Sequence, residues 1–169
     1  MKASANNTKE AYERYGPALV RKAHRVLRNE ADAMDVVQTL FVDLLSKPPQ
    51  SLDLAYLYTA VTNRCLNILR NQNNRKRLLD TRVDSEQSCI RTAVLTMNLI
   101  TQMVDKLDAK SSQIFVYHFV DDLNQDEVAV QMSMSRRAVV KRLSKIRILA
   151  NQLARAASEG DGISQGAES

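Results

Sequence analysis

Tryptophan is absent from this chain, and glycine, proline and cysteine are scarce: 4, 3 and 2 in 169 residues. So few breakers leave long uninterrupted stretches, and the chain is expected to be all-α. Cys65 and Cys89 are not spaced as a ligand pair, and His24 and His118 are scattered, so no metal site is expected. Both thiols read as reduced cysteines of a cytoplasmic protein. No apolar run approaches the roughly 18 residues of a membrane span. The opening MKASANNTKEAYERYG lacks the apolar stretch of a secretion signal. No Ser-His-acid set or phosphate loop is visible, so neither an enzyme nor a cofactor is expected.

Acids are missing from two places. Leu54–Leu79 holds Arg64, Arg70, Arg75, Lys76 and Arg77 and no acid; Ser135–Ser158 holds seven bases and no acid. Solvated helix faces usually mix the two signs. Two separate basic segments in a chain of net charge +5 point to two places for a polyanion. Glu30–Asp53 has the opposite bias, with five acids and the single base Lys47.

What is present is apolar periodicity: 44% of the residues are hydrophobic, enough to core one medium or two small domains. A helical unit is expected over Thr8–Leu79 and a second over Ala93–Ala157. The polar, aperiodic Asp80–Thr92 reads as a flexible linker, and residues 158–169 as a disordered tail. In the first unit, Gly16-Pro17 interrupts a helical pattern, and Pro17 fits the first turn of a helix Pro17–Arg28. Ala31–Ser46 puts Ala33, Val37, Leu40, Phe41 and Leu44 on one face and Asp35, Gln38 and Val42 on the opposite stripe. Pro48-Pro49 forces a loop. The next helix, from about Leu54 to Arg77, buries Leu57, Val61 and Ile68. At 100° per residue, Tyr56, Thr59, Asn63, Asn67, Arg70, Asn74 and Arg77 line its other side. Wet faces favour Glu and Lys, whereas four of these seven are Asn or Thr, poor helix formers. Arg64 falls toward the apolar side, where a structural pair with an acid such as Asp43 suits it better than a DNA contact.

In the second unit, Val94–Leu107 and Ser111–Val120 read as helices. Asn124 opens another, with Glu127 three residues on completing a capping box. Met132-Ser133-Met134 is a short turn, and Ser135 is a natural N-cap for the next helix. Two helices joined by so short a turn match a helix-turn-helix. In its second helix Val139, Leu143, Ile146 and Ala150 face inward, while Arg137, Val140, Lys141, Ser144 and Ile148 face outward. Arg136 and Arg137 add charge at a helix N-terminus, where phosphates and groove edges are favoured. This unit alone also fits a dimeric repressor or activator, which would leave the Asp35 and Asn-rich stripes without a role. A purely protein-binding adaptor would not need acid-free basic segments.

Taken in order, the segments resemble bacterial sigma factors of the extracytoplasmic-function group. Ala33-Met34-Asp35-Val36-Val37-Gln38-Thr39-Leu40-Phe41 is similar to the family's A-E-D-x-x-Q-x-x-F core. AYLYTAVTNRCLNILRNQNNRKR resembles the helix that opens the −10 element, and LDAKSSQIFVYHFVDDLNQDEVAVQMSMSRRAVVKRLSKIR the helix-turn-helix that reads the −35 element. The chain differs at Met34, where an acid is usual, at Tyr56, often Trp, at Ala138, often Thr, and at Val140, often basic.

The resemblance implies a two-domain specificity subunit. Asp35, Gln38 and Val42 would dock on the clamp helices of the largest subunit of core RNA polymerase. Tyr56, Asn63, Asn67, Arg70, Asn74 and Arg77 would take the opened −10 element. Arg136, Arg137, Val140, Lys141, Ser144 and Lys145 would read −35 duplex. An anti-sigma factor as a further partner is left open. A linker of about 13 residues spans at most roughly 45 Å, more than one turn of duplex at about 34 Å. Two readers on one strap can then raise each other's local concentration.

Overall fold

The computed structural model describes residues 2–49, 52–79 and 97–160. The linker expected at 80–92 and residues 161–169 lie outside them. The first unit is three helices, α1 (Lys2–Leu27), α2 (Glu30–Ser46) and α3 (Leu54–Leu79). The second is α4 (Met97–Lys106), α5 (Ala109–Phe115), a π-helical turn (Val116–Val120), α6 (Gln125–Gln131) and α7 (Arg136–Gly160). The described residues contain no strand, in keeping with the all-α expectation. No described helix is long and apolar enough to cross a membrane.

Pro17 does not start a helix; it lies inside α1. The amphipathic repeat runs through it: Thr8, Ala11, Leu19, Ala23 and Val26 are all buried. Tyr12 meets Phe41 of α2 edge-on, with ring centroids 5.0 Å apart. Packing on both sides of Pro17 offsets the backbone hydrogen bond that its ring removes. The α1–α2 corner is tight. Arg28 takes a left-handed φ of 54°, and Asn29 caps α2 by accepting from the Asp32 N–H at 3.0 Å. The inner face expected of α2 is buried at every position named, from Ala33 to Leu44. Asp53 caps α3 through the Tyr56 N–H at 2.7 Å.

In the second unit Asn124 and Glu127 make the full capping box. The α6–α7 turn solves its geometry without glycine. Ser133 adopts φ 49°, its N–H donates to Val130 O at 3.1 Å, and the Met134 N–H donates to Ala129 O at 2.9 Å. That is a Schellman ending, with serine at the left-handed position where glycine is usual. Ser135 then caps α7 by accepting from the Ala138 N–H at 3.3 Å. The helix expected over Ser111–Val120 is α from Ala109 to Phe115 and then widens into the π turn. α7 reaches Gly160, past the residue 158 at which the tail was expected.

The two units share one core, in which Ile100, Met103 and Val104 of α4 join the apolar faces of α1–α3. One charged pair lies within it. Lys22 of α1 and Asp121, just after the π turn, form an ion pair with both side chains 1% exposed. Lys22 falls between Leu19, Ala23 and Val26 on the buried stripe of α1. Its Nζ lies 4.2 Å from the centre of the Tyr58 ring and 5.0 Å from that of Tyr117. Burial pushes the Lys22 ammonium below and the Asp121 carboxyl above its ordinary range, and each partner's charge opposes the other's shift. Among the described residues Asp121 Oδ1 has no hydrogen-bond partner.

Candidate nucleic-acid interface

α7 presents the clearest surface. Val139, Leu143 and Ile146 are 0–1% exposed and lock one side to the core. On the other, Arg136, Arg137, Val140, Lys141, Ser144 and Lys145 are all exposed. Two ion pairs set how this helix sits. Arg142 Nη1 donates to the Asp108 carboxylate at 3.1–3.2 Å and to Ser111 Oγ at 2.9 Å, tying α7 to the start of α5. The Ser111 N–H and then its hydroxyl, with Arg142, hold the Asp108 carboxyl below its ordinary range. Arg136 Nε meets Asp126 Oδ1 of α6 at 3.1 Å, which orients its guanidinium. The Ser144 hydroxyl donates to Val140 O at 3.1 Å, so part of its capacity is spent within the helix.

On α3, Tyr56, Asn63, Asn67 and Asn74 are exposed, and Arg70 is half-buried. The side chain of Arg77 lies outside the described residues. A cleft of about 650 Å³ opens beside the stripe, lined by Tyr56, Asn63, Asn67, Arg64, Ser46 and Lys47 among others. Arg64 is paired with Asp43 across the α2–α3 contact, the structural partnership expected of it. Buried Cys65 behind the stripe is a poor nucleophile, its thiol pushed up to about 12 by burial.

Three stripe residues meet the second unit. Gln113 of α5 donates to Asn63 Oδ1. Arg70 donates to Ser112 Oγ at 3.2 Å. Thr59 Oγ1 accepts from Tyr117 at 3.3 Å and from Gln131 at 3.1 Å, and Gln131 also donates to Ala55 O at 3.0 Å. Sequence reading places Thr59, Asn63 and Arg70 on the stripe but does not foresee their partners. Lys22 has a visible signal: it is a lysine at an apolar position of α1.

The stripe on α2 is exposed at Asp35, Gln38 and Val42. Gln38 and Val42 line an apolar groove of about 490 Å³ with Tyr12, Phe41 and Leu45. Asp35 borders a different hollow of about 220 Å³, with Thr39, Arg64 and Asn67.

A helix-turn-helix with an acid-free outer face, joined to a helical unit with an amide-rich stripe and a separate acidic one, defines a DNA-directed transcription factor of two helical parts. Family models agree: sigma-70 region 2 matches residues 11–75 and sigma-70, region 4 matches residues 97–148. The chain belongs to the sigma-70 family. It is a sigma factor, one of the non-enzymatic initiation factors, and its partners are core RNA polymerase and promoter DNA. A similar solved structure is the co-crystal structure of the sigma factor RpoE in complex with the anti-sigma factor NepR from Bartonella quintana. The likeness covers 88% of this chain and 97% of that one, at 18% identity and a TM-score of 0.49. No curated protein matches the chain.

Proposed function

We propose a division of labour among three surfaces, in a protein that acts in the cytoplasm and catalyses nothing itself. Its domains would be residues 8–79 for polymerase docking and −10 opening and 93–157 for −35 reading, joined by the 80–92 linker. α7 reads the −35 duplex through Arg136, Arg137, Val140, Lys141, Ser144 and Lys145. The observation that carries this is the exposed outer face of α7, on which these six residues stand with no acid among them. Its N-terminal turn offers unpaired N–H groups to phosphates. The α3 stripe takes the unpaired −10 strand. Tyr56 supplies a ring for stacking, Asn63, Asn67 and Asn74 supply paired donors and acceptors for base edges, and Arg70 and Arg77 hold phosphates. The adjoining cleft, walled by Tyr56 and two of those asparagines, has room for an extruded base.

Run-off transcription with core polymerase, followed by mapping of start sites, tests the whole reading. Discrete starts sharing an upstream and a downstream element are expected; random initiation would overturn it. Docking is tested separately. Asp35 is exposed at the border of its own hollow and has no packing role to lose. Asp35→Arg is expected to weaken core polymerase binding about tenfold or more, as reversal of a contact charge does at an interface, with helical content unchanged. Titration of labelled core polymerase reads this, and equal affinities would remove Asp35 from the contact.

A further inference from the structure

The bias of α3 and α7 recurs over a shorter run on α1, where none of the three surfaces above uses it. From Arg14 to Arg28 the sequence holds Arg14, Arg21, Lys22, Arg25 and Arg28 and no acid. Lys22 is turned into the core with Leu19, Ala23 and Val26, whereas all four arginines are exposed. Spacings of seven, four and three residues put the arginines within about 60° of one another at 100° per residue. At 1.5 Å per residue they run along about 21 Å of helix. They form one straight stripe on the side of α1 away from its buried residues.

The surroundings of the stripe select its partner. Among the described residues no ion pair engages Arg21, Arg25 or Arg28. Arg21, His24 and Arg25 line a hollow of about 410 Å³ with Val20 and Glu30, and Glu30 is the one acid on its wall. No large apolar side chain is exposed between Arg14 and Arg28. A protein-binding patch is centred on apolar or aromatic anchors, as the groove of Tyr12, Phe41 and Val42 is. A phosphate backbone needs charge and reach but no such anchor.

We propose that this arginine stripe of α1 is a third nucleic-acid surface, one that holds the phosphate backbone of duplex DNA whatever its sequence. The duplex carries one charge per about 1.7 Å of its axis, so a stripe about 21 Å long faces several phosphates in any register. Guanidinium groups suit them, each offering its donors in a planar fork. The stripe supplies affinity and leaves reading to other faces. It shares no residue with the α3 and α7 surfaces, so it stands or falls separately from them.

The test uses the full chain with Arg21→Gln, Arg25→Gln and Arg28→Gln. Fluorescence anisotropy follows its binding to a labelled pool of random duplexes of about 30 base pairs over a range of salt. Three lost phosphate contacts, at about 0.9 each, should lower the slope of log affinity against log salt by about 2–3 units. Glutamine is as good a helix former as arginine, so circular dichroism should not change. Lysine at the same three positions keeps the charge and should keep the parental slope. Lys9→Gln, Lys106→Gln and Lys110→Gln change exposed bases off the stripe and remove the same net charge. That variant should lose less than about one unit of slope. An unchanged slope in the arginine-to-glutamine variant overturns the proposal and leaves a solvated face. The same result with weakened core polymerase binding makes the stripe a protein contact instead. Equal losses in the two glutamine variants overturn it as an effect of net charge, and a lost slope in the lysine variant overturns it as an effect of structure.

Discussion

Replacing Asn63 and Asn67 together by alanine is expected to leave binding to −35 duplex unchanged and to cut open-complex formation roughly 30- to 100-fold. Each amide lost from a base edge removes about 1–1.5 kcal/mol of net hydrogen bonding, and every 1.4 kcal/mol is tenfold. Both side chains are exposed on α3 and line the cleft beside Tyr56. Their loss opens no cavity, and alanine is the better helix former, so the fold is not at risk. Asn63 also accepts from Gln113. Deleting that acceptor also removes one hydrogen bond between the units. Permanganate reactivity of unpaired thymines in polymerase complexes is the readout. Parental reactivity with the double variant would mean that the stripe does not hold the opened strand.

The parts of the fold legible in the sequence are those governed by local rules. Ala33, Val37, Leu40, Phe41 and Leu44 repeat at helical spacing, and every one is buried. Asn124 and Glu127 carry the capping box in four residues of sequence, and it forms. Pro17 defeats the local rule because its cost is real but smaller than what Leu19, Ala11 and the Tyr12–Phe41 contact contribute around it. The α6–α7 turn lacks the glycine that local rules favour, yet Ser133 takes the left-handed position itself. The residues of the α3 stripe share a helix and can be placed from a helical wheel. What hydrogen-bonds to Thr59, Asn63 and Arg70 cannot. Their partners lie between 42 and 72 residues away along the chain, and nothing local in α5, the π turn or α6 marks Gln113, Tyr117 or Gln131 as facing α3. The ion pair of Lys22 with Asp121 spans 99 residues. Periodicity can say that a lysine stands on an apolar stripe, but only tertiary packing supplies the carboxylate that makes its burial tolerable.

Val140→Arg is expected to change which upstream element the protein prefers, by about tenfold or more. Val140 is 39% exposed and follows Val139, which is fully buried, so α7 is oriented with residue 140 outward. It stands one turn from Arg137 and from Ser144 on the same face. Valine there can pack on a thymine methyl but cannot donate to a base edge. Arginine can donate twice to guanine O6 and N7, a pairing worth about 1–3 kcal/mol of discrimination. An exposed helix position accepts the longer side chain within about 0.5 kcal/mol of stability, so a change of preference would not be a consequence of unfolding. Lys145→Ala supplies the contrast. Lys145 is exposed at the edge of the face and has the reach of a phosphate contact. Its loss is expected to weaken binding about equally on every sequence and to lower the salt slope by about one unit. Selection from a pool of randomised upstream elements, with binding repeated over a range of salt, separates the two. An unchanged preference for Val140→Arg together with a lowered melting point would place residue 140 in the core and rotate the proposed reading face away from it. A preference shifted toward guanine, with Lys145→Ala affecting all sequences alike, would divide the face of α7 into a base-reading centre and a phosphate-holding edge.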